Sequence, residues 1–360
     1  MIKKLDIYII KKFLVTFFFI LFTIMLIAVI FDFSEKIDDF IRKAPPIREI
    51  LIDYYLNFVL FFGNLFSPLL IFISVIFFTS KLASNSEIIA ILSAGISFKR
   101  FIVPYMVAAT LLAGTSFYLN HWLIPRANST RIDFEENYLR YKFHNVNRDI
   151  HKQIAPDVFI YFESFNSARQ IGYKVSIEEW EDGALKKKLL ADFARWDSTK
   201  EIWSIQNYAI REFNNGQEKL RKGIRLDTLL SFTPDDFSKR KFISIQMMNY
   251  NELNAFIDEE KKKGNDKVPI YEIEKHTRTS LPLATYILTL MGVSVSSRKI
   301  RGGIGVHLAL GLLLAVSYIL FMKISSVYAT NTGIDPLFAT WIPNIVYAVI
   351  AIVLFKRAHK

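Results

Sequence analysis

The sequence predicts a membrane α-helical protein of six transmembrane helices, with an all-β jellyroll-like domain inserted between the third and the fourth. Three observations carry this reading. The chain is 52% hydrophobic over 360 residues, with 32 Phe, above the roughly 45–50% of soluble domains, a figure that already counts Gly. Six stretches carry no Asp, Glu, Lys or Arg, and each is near the ~20 residues that cross ~30 Å of hydrocarbon at ~1.5 Å per residue. Between the third and fourth stretches, continuous apolar runs give way to the two-residue alternation of strands.

The first span is residues 13–31. Lys3, Lys4, Lys11 and Lys12 precede it as in a secretory signal, but Ala28-Val29-Ile30 followed by Phe31-Asp32 offers no small-x-small cleavage site. It is therefore expected to be retained. Asp32, Glu35, Lys36, Asp38 and Asp39 follow and read as a solvated loop. The second span, 54–80, contains Gly63, Asn64 and Pro68, the marks of a kink or of a long tilted helix. The third is 101–124, and the last three are 279–297, 302–322 and 336–355. Small residues four apart, Ala109 with Ala113 and Gly305 with Ala309, suit either close helix approach or a lipid-facing surface.

The inserted segment is predicted to hold strands at 157–165, 171–180, 184–196, 201–213 and 223–232. Glu181-Asp182-Gly183 and Asn214-Asn215-Gly216 supply residues that tolerate positive φ in tight hairpins. An antiparallel sandwich or jelly roll is the expected product. Residues 133–142 read as a helical exit from the third span. Residues 251–263 read as a helix with Leu253, Phe256 and Ile257 on one face and Gly264 as its stop, and a second polar helix runs from 270 into the fourth span. The expected domains are thus 1–124, holding three spans and a connecting helix at 84–97; 125–278, the β domain with flanking helices; and 279–360, the last three spans.

The net charge of +11 is not spread evenly. With the N-terminus inside, the inner segments hold Lys3, Lys4, Lys11, Lys12, Lys81, Lys99, Arg100, Arg298, Lys299, Arg301, Lys356, Arg357 and Lys360, opposed only by Asp6 and Glu87. That side accounts for the whole surplus, as the positive-inside rule requires, and no basic patch remains for a nucleic acid. There is no Cys, which excludes disulfides, thiolate nucleophiles and cysteine metal sites. No G-x-x-x-x-G-K-[ST], G-x-S-x-G or H-E-x-x-H occurs, so the chain is not expected to hydrolyse ATP by itself. His121 and His307 have no ligand-type companion at i+3 or i+4 and are expected to be hydrogen-bonded interior histidines.

The connection between the second and third spans is the informative one. Ser84 and Glu87 have the spacing of a capping box, Ile88, Ile91 and Leu92 form one apolar stripe, and Gly95 suits a C-terminal stop. The result is a short amphipathic helix with a carboxylate at its start. Amphipathicity does not name the covered surface: the bilayer, the neighbouring helices and a cytoplasmic partner all remain open.

At this point the residues resemble a known family, the LptF/LptG permeases that extract lipopolysaccharide from the inner membrane of Gram-negative bacteria. The likeness rests on Leu5-Asp6-Ile7-Tyr8-Ile9-Ile10-Lys11, on the segment from Ser86-Glu87-Ile88 to Ala94-Gly95-Ile96-Ser97, on Ile124-Pro125, and on 248–264 followed by 271–282. The resemblance implies an inner-membrane protein with both termini cytoplasmic and the large domain periplasmic. Its implied partners are a homologous second permease, a cytoplasmic ATPase dimer that uses ATP and Mg, a periplasmic lipid-bridge protein and lipopolysaccharide, with no cofactor bound by this chain. Glu87, with Ile88, Ile91, Leu92 and Gly95, would couple to the ATPase, and the first and fifth spans would form lateral gates. Where family members often carry basic residues after the first span, this chain has Asp32, Glu35, Asp38 and Asp39; Lys36, Arg42, Lys43 and Lys323 are the candidates for substrate contact. Two readings of other classes stand beside this one: a membrane-anchored periplasmic scaffold or binding protein, and a lipid-modifying enzyme using the acidic run.

Overall fold

A computed structural model describes residues 3–139, 146–166, 169–181, 183–214, 217–230, 232–234, 245–262, 265, 267–299 and 303–358. Asp182, Asn215, Gly216, Gly264, Arg301, Gly302 and residues 140–142 lie outside them. The chain divides into two compact units. One comprises Met1–Phe134, Asn249–Asn251 and Pro269–Lys360; the other comprises Glu135–Met248 and Glu252–Val268.

Among the described residues, six helices are long and apolar enough to cross a membrane: α1 (Lys4–Lys43), α2 (Ile47–Ser84), α4 (Phe98–Leu139), α6 (Val268–Ser296), α7 (Gly303–Thr332) and α8 (Pro336–Ala358). Between them lie the short α3 (Glu87–Ser93) and α5 (Tyr250–Lys262). Hydropathy marks only the hydrocarbon-crossing part, and most of these helices continue past it. The largest extension is α1, whose 40 residues run about 60 Å. The acidic stretch expected as a solvated loop is therefore its last three turns. No Gly or Pro interrupts the helix there, and ion pairs at helical spacing, Lys36 with Asp32 at 2.5 Å and Arg42 with Asp39, stitch it. It stops where Ala44 turns left-handed, φ 42°, before Pro45-Pro46.

In the helical unit α2 and α4 are tied by amides. Asn64 Nδ2 donates to Asn120 Oδ1 at 2.8 Å, and Ser116 Oγ donates to Asn64 Oδ1 at 2.8 Å. Ala109 and Ala113 are buried, as close packing requires, whereas Gly305 and Ala309 are exposed. The small pair that admits a neighbour on α7 lies one and a half turns on, at Gly311 and Ala315, both buried; a Cβ on Gly311 would meet the Ile76 side chain of α2.

Among its described residues the second unit holds six strands: β1 (Val146–Ala155), β2 (Val158–Asn166), β3 (Ile171–Glu181), β4 (Ala184–Asp197), β5 (Ile202–Asn214) and β6 (Gln217–Thr228). They form one antiparallel sheet in sequence order, where a two-sheet sandwich or jelly roll was the expectation. Each strand pairs with the next through a short connection, and the described residues contain no crossover that would put strands out of order. The sheet carries instead one irregular level that crosses all its strands. Every strand pair lacks one bridge at the same level: Asp149 facing Glu163, Glu163 facing Lys174, Lys174 facing Asp192, Asp192 facing Asn207, and Asn207 facing Ile224. Lys174 and Asn207 are left-handed there, with φ of 48° and 51°. Buried positions step by three across this crease, from Phe162 to Phe165, Ala191 to Ala194 and Ile205 to Tyr208. The register between neighbouring strands is the same on both sides, so the strands change phase together and one face stays on the core across the crease.

That core holds Ile160, Phe162, Phe165, Val175, Ala194 and the fully buried Trp203, whose Nε1 donates to Phe232 O at 2.8 Å. Gly172 faces it beside the crease, and a Cβ at this position would collide with the ring of Phe162, which has no exposed surface into which to swing. Gly172→Ala is expected to destabilise the sheet by about 1–3 kcal/mol, the usual cost of overpacking. Hydrogen exchange on the solubilised full-length protein checks this: protection should fall across β2 to β5 and stay unchanged in α2. Unchanged protection of the sheet would mean that the crease is not closed over Gly172.

Candidate functional site

The end of the helical unit where α1 begins also receives the end of α2, all of α3, the start of α4 and the end of α8. Ile9, Phe13, Leu82, Ile88, Phe98 and Phe101 share one buried cluster there, with Phe355 packed against it. Phe98 stacks on Phe355 with ring centroids 5.8 Å apart, and Arg298 Nη2 donates to Arg357 O at 2.6 Å.

On this platform α3 is a single amphipathic stretch of 7 residues. It starts later than the capping-box spacing suggested. Ser84 is still the last residue of α2, the N-cap is Ser86 in a left-handed conformation, φ 62°, and no side chain caps the helix. Glu87 becomes the first helical residue, half-buried, with its carboxylate held by other donors: Tyr8 Oη donates to Oε2 at 2.9 Å and Asn85 Nδ2 donates to Oε1 at 3.2 Å. At the other end Gly95, φ 85°, closes the helix with its N–H on Leu92 O at 3.0 Å, as its position predicted.

The stripe Ile88, Ile91, Leu92 divides. Ile88, 2% exposed, is sunk among Ile9, Phe13 and Phe101; Ile91 is half-buried against the same cluster; Leu92 is 38% exposed. Its exposed apolar neighbour is Ile89, at 55%, a residue the stripe left out. The helix therefore covers the chain's own core with one face and offers Ile89 and Leu92 on the other. Lys81, Lys99 and Arg100 flank it.

Two further residues belong here that sequence reasoning did not assign. Arg100 grips Asp6 with both guanidinium nitrogens, Nη1 to Oδ1 at 2.7 Å and Nη2 to Oδ2 at 2.6 Å, and Tyr8 holds Glu87. The available signal was that Asp6 and Glu87 are the only two carboxylates in the basic inner segments.

The four candidate substrate cations are not gathered into one site. Lys36 is enclosed: it pairs with Asp32 and donates to Tyr54 Oη, while Tyr54 and Tyr55 donate to Asp32 Oδ2 at 2.9 and 3.3 Å. Arg42 pairs with Asp39 in the last turn of α1, and Lys43 is half-buried beside it in sequence. Lys323 lies on α7, about 30 Å along the helix from Gly303, exposed among the exposed Ile319, Leu320, Ile324 and Val327. Among the described residues no carboxylate pairs with it.

His121 and His307 are both buried; His121 Nε2 lies 3.4 Å from Thr279 Oγ1 and His307 Nε2 lies 3.0 Å from Arg298 O. Among the described residues no cluster of His, Cys, Asp or Glu is arranged to hold a metal ion.

Among the described residues, six helices long and apolar enough to cross a membrane, an inserted β-sheet, and a short helix that is half core and half open surface define a multi-helix membrane protein. The chain matches the family of the Lipopolysaccharide export system permease LptF/LptG over residues 7–357. It belongs to that family. A comparison with curated proteins finds no match.

Proposed function

We propose that this chain is one of two homologous permeases in an ATP-driven exporter that lifts lipopolysaccharide out of the inner membrane and hands it to a periplasmic bridge protein. ATP, with Mg, is consumed by a cytoplasmic ATPase dimer that receives α3. The termini and α3 face the cytoplasm, and the β domain faces the periplasm. The observation that carries this reading is the uneven cover of the helices. In α1 and α7 only 17% and 22% of the most apolar stretch is buried within the chain, against 56% in α2 and 61% in α6. Two spans left this bare suit a second permease on one side and a lipid-filled cavity between, the place of lateral gates.

Lys323 is the substrate contact of choice among the four cations, since it stands unpaired on one of those bare helices at about headgroup depth. Lys36 and Arg42 already have carboxylate partners. The test is purification of the complex with a photo-crosslinking residue at position 323. A second permease and an ATPase should copurify, and lipopolysaccharide should be captured in an ATP-dependent manner. A chain that purifies alone, or whose function survives when one unrelated helix anchors the β domain, would instead be a scaffold.

A further inference from the structure

We infer that α1 and the coupling helix α3 move as one mechanical body, with Tyr8 as the positioning residue that fixes Glu87 on it. The inference rests on the coupling role proposed for Glu87 and names the route by which force leaves that residue. Three ties join the two elements. The first is polar and directional. Lys12 Nζ donates to Tyr8 Oη at 2.7 Å, with its ammonium 4.8 Å from the ring centroid. An ammonium can only donate, so it takes the acceptor side of the phenol and leaves the hydroxyl proton for the Glu87 carboxylate. The second is the two-pronged grip of Arg100 on Asp6, which binds the first turn of α4 to the first turn of α1. The third is Ile88, set in the core that Ile9 and Phe13 of α1 help to build.

The ties bracket α3. Its start is bound to α1 through Tyr8, and the segment that follows it is bound to α1 through Asp6. A displacement of α3 therefore loads α1, whose most apolar stretch has the smallest buried share among the six helices of the described residues, 17%. Under this arrangement a push at the coupling helix reaches a gate helix through its own ties, and α2, on which Phe13 of α1 stacks through Phe78, takes up the load with it.

The experiment uses the complete complex of both permeases and the ATPase, reconstituted in vesicles containing lipopolysaccharide, and reads lipid released per ATP hydrolysed. Tyr8→Phe keeps the ring and removes the hydroxyl. It should leave complex assembly and ATP hydrolysis within about twofold and lower the release ratio about tenfold, the scale of losing one charge-assisted hydrogen bond. Asp6→Arg and Arg100→Asp should each lower the same ratio, and the double swap should restore at least half of it. An unchanged ratio in Tyr8→Phe overturns the inference, as does an equal fall in hydrolysis and release, which would make Tyr8 a merely structural support. Glu87→Ala run in parallel separates the two levels. If it uncouples while Tyr8→Phe does not, only the mechanical link fails; if neither uncouples, the coupling role itself falls.

Discussion

Glu87→Ala is expected to cut ATP-driven lipid release by more than about tenfold while leaving the fold standing. The two donors that lose their acceptor, Tyr8 and Asn85, are both exposed. Water can replace the carboxylate for each, so the cost to stability stays within about 1 kcal/mol. Function has no such substitute. In the proposed complex, a carboxylate held at the start of α3, amid Lys81, Lys99 and Arg100 of its own chain, would have a fixed position from which to pair with a cation of the ATPase. Truncating one side of such a desolvated charge pair costs about 2–5 kcal/mol. Lipid-stimulated ATP hydrolysis and release, measured beside thermal unfolding in detergent, separate these effects. A variant that unfolds early yet transports normally when folded would remove Glu87 from the coupling surface.

The second large effect contrasts two positions on the same short helix. Ile88→Asp places a carboxylate in the buried hydrophobic cluster of Ile9, Phe13, Leu82 and Phe101. Several kcal/mol are at stake, enough to abolish the folded protein, because a buried unpaired charge is among the costliest single changes. Leu92→Asp alters an exposed residue and should change the chain's own stability by only about 0.5 kcal/mol, yet it puts a charge on the apolar surface that the proposed ATPase contact would cover. The expected outcome is loss of monodisperse protein for Ile88→Asp, and for Leu92→Asp a well-folded permease that no longer copurifies with its ATPase. Equal behaviour of the two would mean that α3 has no distinct inner and outer face.

How much of this was legible in the sequence follows from what each feature depends on. The six spans were legible because crossing hydrocarbon imposes a length and an absence of charge that few other constraints mimic. Their ends were not, since the last turns of α1 are held by pairs such as Asp32 with Lys36, and a run of alternating charge reads equally well as loop. In the β domain, β2 to β5 were found from their apolar alternation. The strand β1 and the first half of β6 were missed because both lie at the sheet's edges, where Lys219, Arg221 and Lys222 need no buried face. The crease through Lys174, Asp192 and Asn207 is a one-residue change of phase, and within a single strand it looks like imperfect alternation. At the candidate site, the helix stop at Gly95 was legible from local spacing, whereas Glu87 was singled out by a capping-box spacing with Ser84 that the helix does not use. Tyr8 and Arg100 were not legible, because their partners lie 79 and 94 residues away in the chain, and only folding brings them together.

The central claim is that α3 and the β domain lie on opposite sides of the inner membrane. The chain has no cysteine, so single cysteines report without background. In spheroplasts with an intact inner membrane, a membrane-impermeant maleimide should label Asn207→Cys at once and Ser93→Cys only after the membrane is opened. Labelling of Ser93→Cys in the intact spheroplasts would place the coupling helix out of reach of any cytoplasmic ATPase and contradict the account.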